Sequence, residues 1–79
     1  MEKYEVRYND KNTFFIPGIS KVKSKSDKGR TLIITDVVNP GTMWMAEIEG
    51  DSNKTTTVYL EEIMEILNDD VVKNLLSES

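Results

Sequence analysis

Lys21, Lys23, Lys25, Lys28 and Arg30 set five positive charges against one negative, Asp27, within residues 21–30. In an extended segment Lys21, Lys23 and Lys25 project from one face, because strand side chains alternate. Lys28 and Arg30 then lie at or just beyond a turn. Such a comb suits an acidic protein surface or a phosphate backbone. It also has a plainer reading, since lysines on an edge strand keep sheet edges from pairing.

Other chemistry is scarce. The 79 residues include no His and no Cys. That removes disulfides, thiolate nucleophiles, Cys-based metal sites and the commonest general base. Glu47 with Glu49, and Glu61 with Glu65, share faces at strand and helix spacing. Paired carboxylates split their pKa values only at a shared buried site, and here they read as solvated faces. Asp51, Asn53, Thr55, Thr57 and Glu62 fall at the ligand spacing of a calcium loop. That loop needs Gly at its sixth position, where Thr56 stands, so the match reads as coincidence. The four glycines are isolated in turns, so no phosphate loop is present. Neither a cofactor nor a metal is expected.

Apolar contact is the remaining resource. Trp44 alternates in phase with Ala46 and Ile48, which places it in the core. Phe14 and Phe15 are adjacent, so in a strand they point opposite ways and one must leave the main core. Leu60, Ile63, Met64, Leu67, Val71 and Leu75 form a stripe at helical spacing. Ile66, Val72 and Leu76 lie beside it and widen the apolar face beyond what one contact needs, which suits a partner.

Size and charge set the frame. A chain of 9.0 kDa has a folded surface of roughly 4,900 Å² and buries about 60% of its unfolded surface. That supports one small core with little room for a large active-site cavity. Net charge is −4, unevenly divided. Residues 1–30 carry eight basic and four acidic groups, and residues 31–79 carry two and ten. This predicts a dipolar molecule unless folding interleaves the halves. No apolar run reaches the ~18 residues of a membrane span, and the N-terminus has no hydrophobic signal core. The expectation is a cytoplasmic protein without a membrane partner.

The elements that must position these residues follow from periodicity. Residues 3–8 alternate, with Tyr4, Val6 and Tyr8 on one side, and Asn9–Asn12 form a turn. Further strands are read at 13–16, 19–25, 30–38, 43–49 and 55–59, with turns at Pro17-Gly18, 26–29, 39–42 and 50–53. The period then changes to 3.6, and an unbroken helix over about 60–77 is the preferred reading. A competing reading takes Val58–Leu67 as a strand, a one-turn 3₁₀ segment and a last strand at Met64–Leu67. It leaves only Asp69–Ser77 helical, as in small SH3-like barrels. Either way residues 1–79 form one α+β domain. It is a small, strongly curled antiparallel sheet or SH3-like barrel of five to six strands with a C-terminal amphipathic helix.

The function expected is a non-enzymatic binding or assembly module acting by protein–protein contact, with a protein partner or a second copy of itself. Lys21, Lys23, Lys25, Lys28 and Arg30 would supply charge complementarity, and Ile66, Val72 and Leu76 apolar contact. The alternative is a nucleic-acid-binding small barrel using the same basic hairpin with aromatic stacking. A sequence pI near 4.7 weighs against it. No small-molecule substrate is expected.

Overall fold

The structure is a computed structural model and describes residues 2–78. The chain opens with a hairpin of β1 (Tyr4–Tyr8) and β2 (Lys11–Phe15). Its loop is only Asn9 and Asp10, both at positive φ (50° and 60°). This mirror-image turn matches the natural twist of paired strands. It lets β2 begin at Lys11, two residues earlier than alternation alone indicates.

Five strands then form one antiparallel sheet: β3 (Lys21–Ser24), β4 (Thr31–Asn39), β5 (Met43–Ile48), β6 (Asp51–Tyr59) and β7 (Ile63–Ile66). Their order is β6-β5-β4-β3-β7, so the last strand returns to pair with the first. A 3₁₀ turn at Lys25–Asp27 joins β3 to β4, and another at Leu60–Glu62 joins β6 to β7. Register shifts in β4–β5 and β3–β7 bend the sheet into a curled half-barrel. Helix α1 (Asp69–Glu78) closes the chain. The fold is thus α+β, with a small curled antiparallel sheet and a C-terminal helix.

The unbroken helix over 60–77 does not form. The strand, 3₁₀ turn and final strand of the competing reading stand in its place, and the helix starts at Asp69. Leu60, Ile63 and Ile66 are spaced by three because a 3₁₀ turn runs into a strand with a register shift. The two isoleucines insert on the same side, Ile63 opposite Ser24 and Ile66 opposite Val22. Three-residue spacing of this kind imitates a helix in sequence.

The core is built where the hairpin covers the hollow of the sheet. Val6 and Phe15 from the hairpin meet Val22, Leu32, Ile34, Trp44, Ala46, Val58, Leu60 and Ile63. Trp44 is fully buried, in edge-to-face contact with Tyr4 (5.2 Å) and Phe15 (5.3 Å). Its indole N–H donates to the Pro40 carbonyl at 3.3 Å. Phe15 points in and Phe14 out, where the Lys3 ammonium sits 6.0 Å from its ring centroid. The Tyr8 hydroxyl donates to the Ile63 carbonyl at 3.1 Å and ties the hairpin to β7. Helix α1 lies against β2.

Candidate functional site

The five cations do not form one comb. Strand β3 runs only from Lys21 to Ser24, and its Val22 and Ser24 face the core. Lys21 and Lys23 therefore lie on the outer face. Lys21 is ion-paired with Glu49, and Lys23 stands opposite Glu65 of β7. Both cations come from the basic half of the sequence and both carboxylates from the acidic half. On this face folding interleaves the two, and the expected charge separation is lost. Nor is β3 an edge strand, since it lies between β4 and β7. The edge-guarding reading of its lysines fails for that reason.

Lys25, Lys28 and Arg30 remain, around the 3₁₀ turn. All three are exposed, and among the described residues none takes part in an ion pair. The turn is fixed from several sides. The Ser26 N–H donates to the Ser24 hydroxyl, which caps it. The Arg30 N–H donates to the Asp27 carbonyl at 3.0 Å. The Thr56 hydroxyl, from β6 across the hollow, approaches the Asp27 carboxylate at 3.4 Å. Lys28 takes a left-handed conformation (φ 54°), and Gly29 follows at φ 76°, where glycine carries no steric penalty. The result is a positive tip on a fixed backbone, with Asp27 directed inward.

The apolar contacts are also redistributed. Val72 is 1% exposed and is the buried residue of α1, so it is not available to a partner. Ile66 is half-buried and packs against the core. Leu76 is half-buried on the helix. Among the described residues the exposed large apolar side chains are instead Val38, Tyr59, Met64 and Val71. Tyr59 and Met64 belong to the two outer strands of the sheet, β6 and β7, a position that sequence periodicity does not reveal.

Shallow clefts mark the surface among the described residues. One of about 350 Å³ lies between the hairpin tip and β7 and includes Tyr8, Lys11, Met64, Glu65 and Asp69. Asp69 reaches Lys73 with Oδ2 at 3.1 Å, while its Oδ1 is buried without a hydrogen-bond partner. A second cleft of about 230 Å³ is lined by Gly41, Thr42, Tyr59, Leu60 and Glu61 at the end of β6. A third lies against Arg7 and Leu60. Among the described residues no group of three or more acidic side chains is placed to hold a metal ion. The calcium-loop spacing falls on β6, where Asp51–Thr57 are extended and cannot wrap an ion. The Tyr4 titration departs from the ordinary. The Tyr4 hydroxyl donates to the Glu2 carboxylate at 2.7 Å, and that bond, with lesser help from desolvation and the Glu2 charge, raises the phenol pKa. Among the described residues no helix is long and apolar enough to cross a membrane.

Comparison with protein-family models, with curated proteins and with solved structures finds no match to this chain.

Proposed function

We propose that this chain is a small non-enzymatic binding and assembly module of the cytoplasm, acting by protein–protein contact and by self-association. The observation that carries the reading is the tip formed by Lys25, Lys28 and Arg30. The ordered backbone beneath the three exposed cations has little freedom of its own to lose on binding, and the cations attract an acidic surface from a distance. A partner's carboxylates are the counter-charges this tip suits. The mechanism is charge steering followed by burial of apolar surface, without covalent chemistry.

Nucleic acid is the weaker reading. Phosphate tracking along the sheet would use Lys21 and Lys23, but one is ion-paired and the other faces Glu65. Base stacking would need two or three exposed aromatic rings. Tyr4, Phe15 and Trp44 pack in or against the core, and among the described residues Tyr59 is the one aromatic ring that is largely exposed, at 43%.

The test is mass in solution at low and high salt, with and without a short single-stranded oligonucleotide. A mass above 9.0 kDa without the oligonucleotide supports protein contact. A mass that rises only when the oligonucleotide is added supports the nucleic-acid reading. In the second case Lys25→Glu with Lys28→Glu and Arg30→Glu removes the binding.

A further inference from the structure

The sheet has two outer edges, and they are built differently. Strand β7 is four residues long, is interrupted by a register shift, and runs into α1 within three residues. Its Ile63 carbonyl is occupied by the Tyr8 hydroxyl. These are the devices that keep an edge from pairing. Strand β6 is nine residues long, contains no proline, and pairs only with β5. Its Thr55–Tyr59 stretch is uninterrupted in register and rich in β-branched residues.

The direction of the β6 backbone groups follows from one bond. The Leu60 N–H donates to the Thr42 carbonyl at 3.0 Å, which makes Leu60 and Thr42 a hydrogen-bonded pair. Antiparallel pairs alternate between bonded and non-bonded. With Tyr59 opposite Met43, Val58 opposite Trp44 and Thr57 opposite Met45, the bonded residues of β6 are Val58 and Thr56. The N–H and C=O groups of Thr55, Thr57 and Tyr59 therefore point away from β5, along the outer edge.

We propose that a second copy of this chain pairs with this edge, β6 against β6 in antiparallel fashion, with Thr57 on the two-fold axis. The inference rests on the self-association reading above and names its surface. The pairing is isologous, so both copies use the same strand and the assembly closes as a dimer. Charge selects the register. With Thr57 opposite itself, Thr55 falls opposite Tyr59 of the second copy, and Lys54 falls opposite its Leu60. There Lys54 stands beside Glu61 and Glu62 and next to the 230 Å³ cleft that Tyr59, Leu60 and Glu61 line. Lys54 is free to move there, since its contact with Asp51 is a 3.8 Å surface pair. The two-fold axis supplies this Lys54–Glu61 contact twice.

A chain without cysteine makes the test clean. Bonded antiparallel residues have Cα atoms about 5.5 Å apart, within the range a disulfide spans. Thr57→Cys should form a disulfide-linked dimer under mild oxidation, whereas Ser77→Cys on exposed α1 should not. Thr57→Pro removes an outward N–H at an edge that tolerates proline, and should bring the mass from twice 9.0 kDa to 9.0 kDa. Lys54→Glu should weaken dimerisation roughly tenfold at low salt, and adding Glu61→Lys should restore it. If Thr57→Pro fails to fold, the cysteine result decides. A dimer that persists in Thr57→Pro and does not cross-link through Thr57→Cys overturns this edge but leaves self-association standing. A mass of one chain at every concentration overturns both. A mass that rises only with an added acidic polypeptide overturns the edge and keeps the charge-steered contact.

Discussion

The Asn68 side chain bridges two backbone groups of one neighbouring segment. Its oxygen accepts from the Lys21 N–H at 2.9 Å and its amide donates to the Ile19 carbonyl at 2.8 Å. The Leu67 N–H adds a third bond, to the Lys21 carbonyl at 2.9 Å. Asn68 precedes α1, and its own carbonyl accepts the Val72 N–H, as a helix-capping residue does. The carboxamide is nevertheless turned away from the helix and used as a clamp. It locks the return of β7 onto β3, which is what closes the curled sheet.

Asn68→Ala should therefore be costly for an exposed-looking position. It removes two part-buried bonds and leaves two backbone groups without partners, at about 1–3 kcal/mol each. Chemical denaturation should show a loss of about 2–6 kcal/mol. Asn74→Ala, on the exposed face of α1, should change stability by less than about 0.5 kcal/mol. Equal effects at the two positions would refute the clamp.

Trp44 gives a second prediction. It is the chain's one tryptophan and is fully buried between Tyr4 and Phe15. Its emission should be blue-shifted and poorly quenched by iodide, and both properties should vanish in a single unfolding transition. Trp44→Ala should cost about 3–5 kcal/mol. A domain of this size has about 4–12 kcal/mol in all, so the variant should lose between about a quarter and all of its stability, with a matching fall in thermal midpoint. A folded Trp44→Ala protein with unchanged thermal midpoint would contradict the packing described.

Much of the sheet was readable because its alternation is local. Tyr4, Val6 and Tyr8 against Lys3, Glu5 and Arg7, or Trp44 and Ala46 against Met45 and Glu47, declare their faces within one strand. Which strand neighbours which is not local. The place of β3 between β4 and β7 depends on a pairing across some forty residues, Val22 with Ile66, and no short-range pattern encodes it. The segment 60–66 misleads for a different reason. A 3₁₀ turn and a shifted strand return an apolar side chain to the core every third residue, as a helix also does. On α1 sequence periodicity puts the stripe one residue early. Val71 is 45% exposed while Val72 is buried, because the helix starts at Asp69 and its phase is set there. For the candidate site, the charges were legible but their partners were not. Lys21 meets Glu49 only after β5 has folded back along β4.

The Tyr4 phenol predicts a pH effect. Its pKa is raised in the folded chain, first by the hydrogen bond to Glu2. The folded state thus holds the proton more tightly than the unfolded state. Its contribution is fully present below the ordinary tyrosine pKa, near 10, and is lost as pH rises through the folded value. Phenolate absorbance should show the Tyr4 phenol ionising later than in the unfolded chain, and Glu2→Ala should bring it back. Tyr4 titrating unchanged in Glu2→Ala would assign the shift elsewhere.

The ion pair and the positive tip should separate in their response to salt. Lys21 and Glu49 are a part-exposed pair, with side chains 38% and 43% accessible. Such pairs contribute about 0–1 kcal/mol, screened by salt. Glu49→Gln should therefore lower stability by under about 1 kcal/mol in dilute buffer and by less at high salt. Lys25→Glu, Lys28→Glu and Arg30→Glu together break no ion pair among the described residues. Folding stability should be nearly unchanged, while binding to an acidic polypeptide, measured by anisotropy at low salt, should fall at least tenfold. Loss of stability in the triple variant would mean that the tip is part of the scaffold and not a contact surface. Unaltered affinity for the polypeptide would remove the tip from the proposed mechanism.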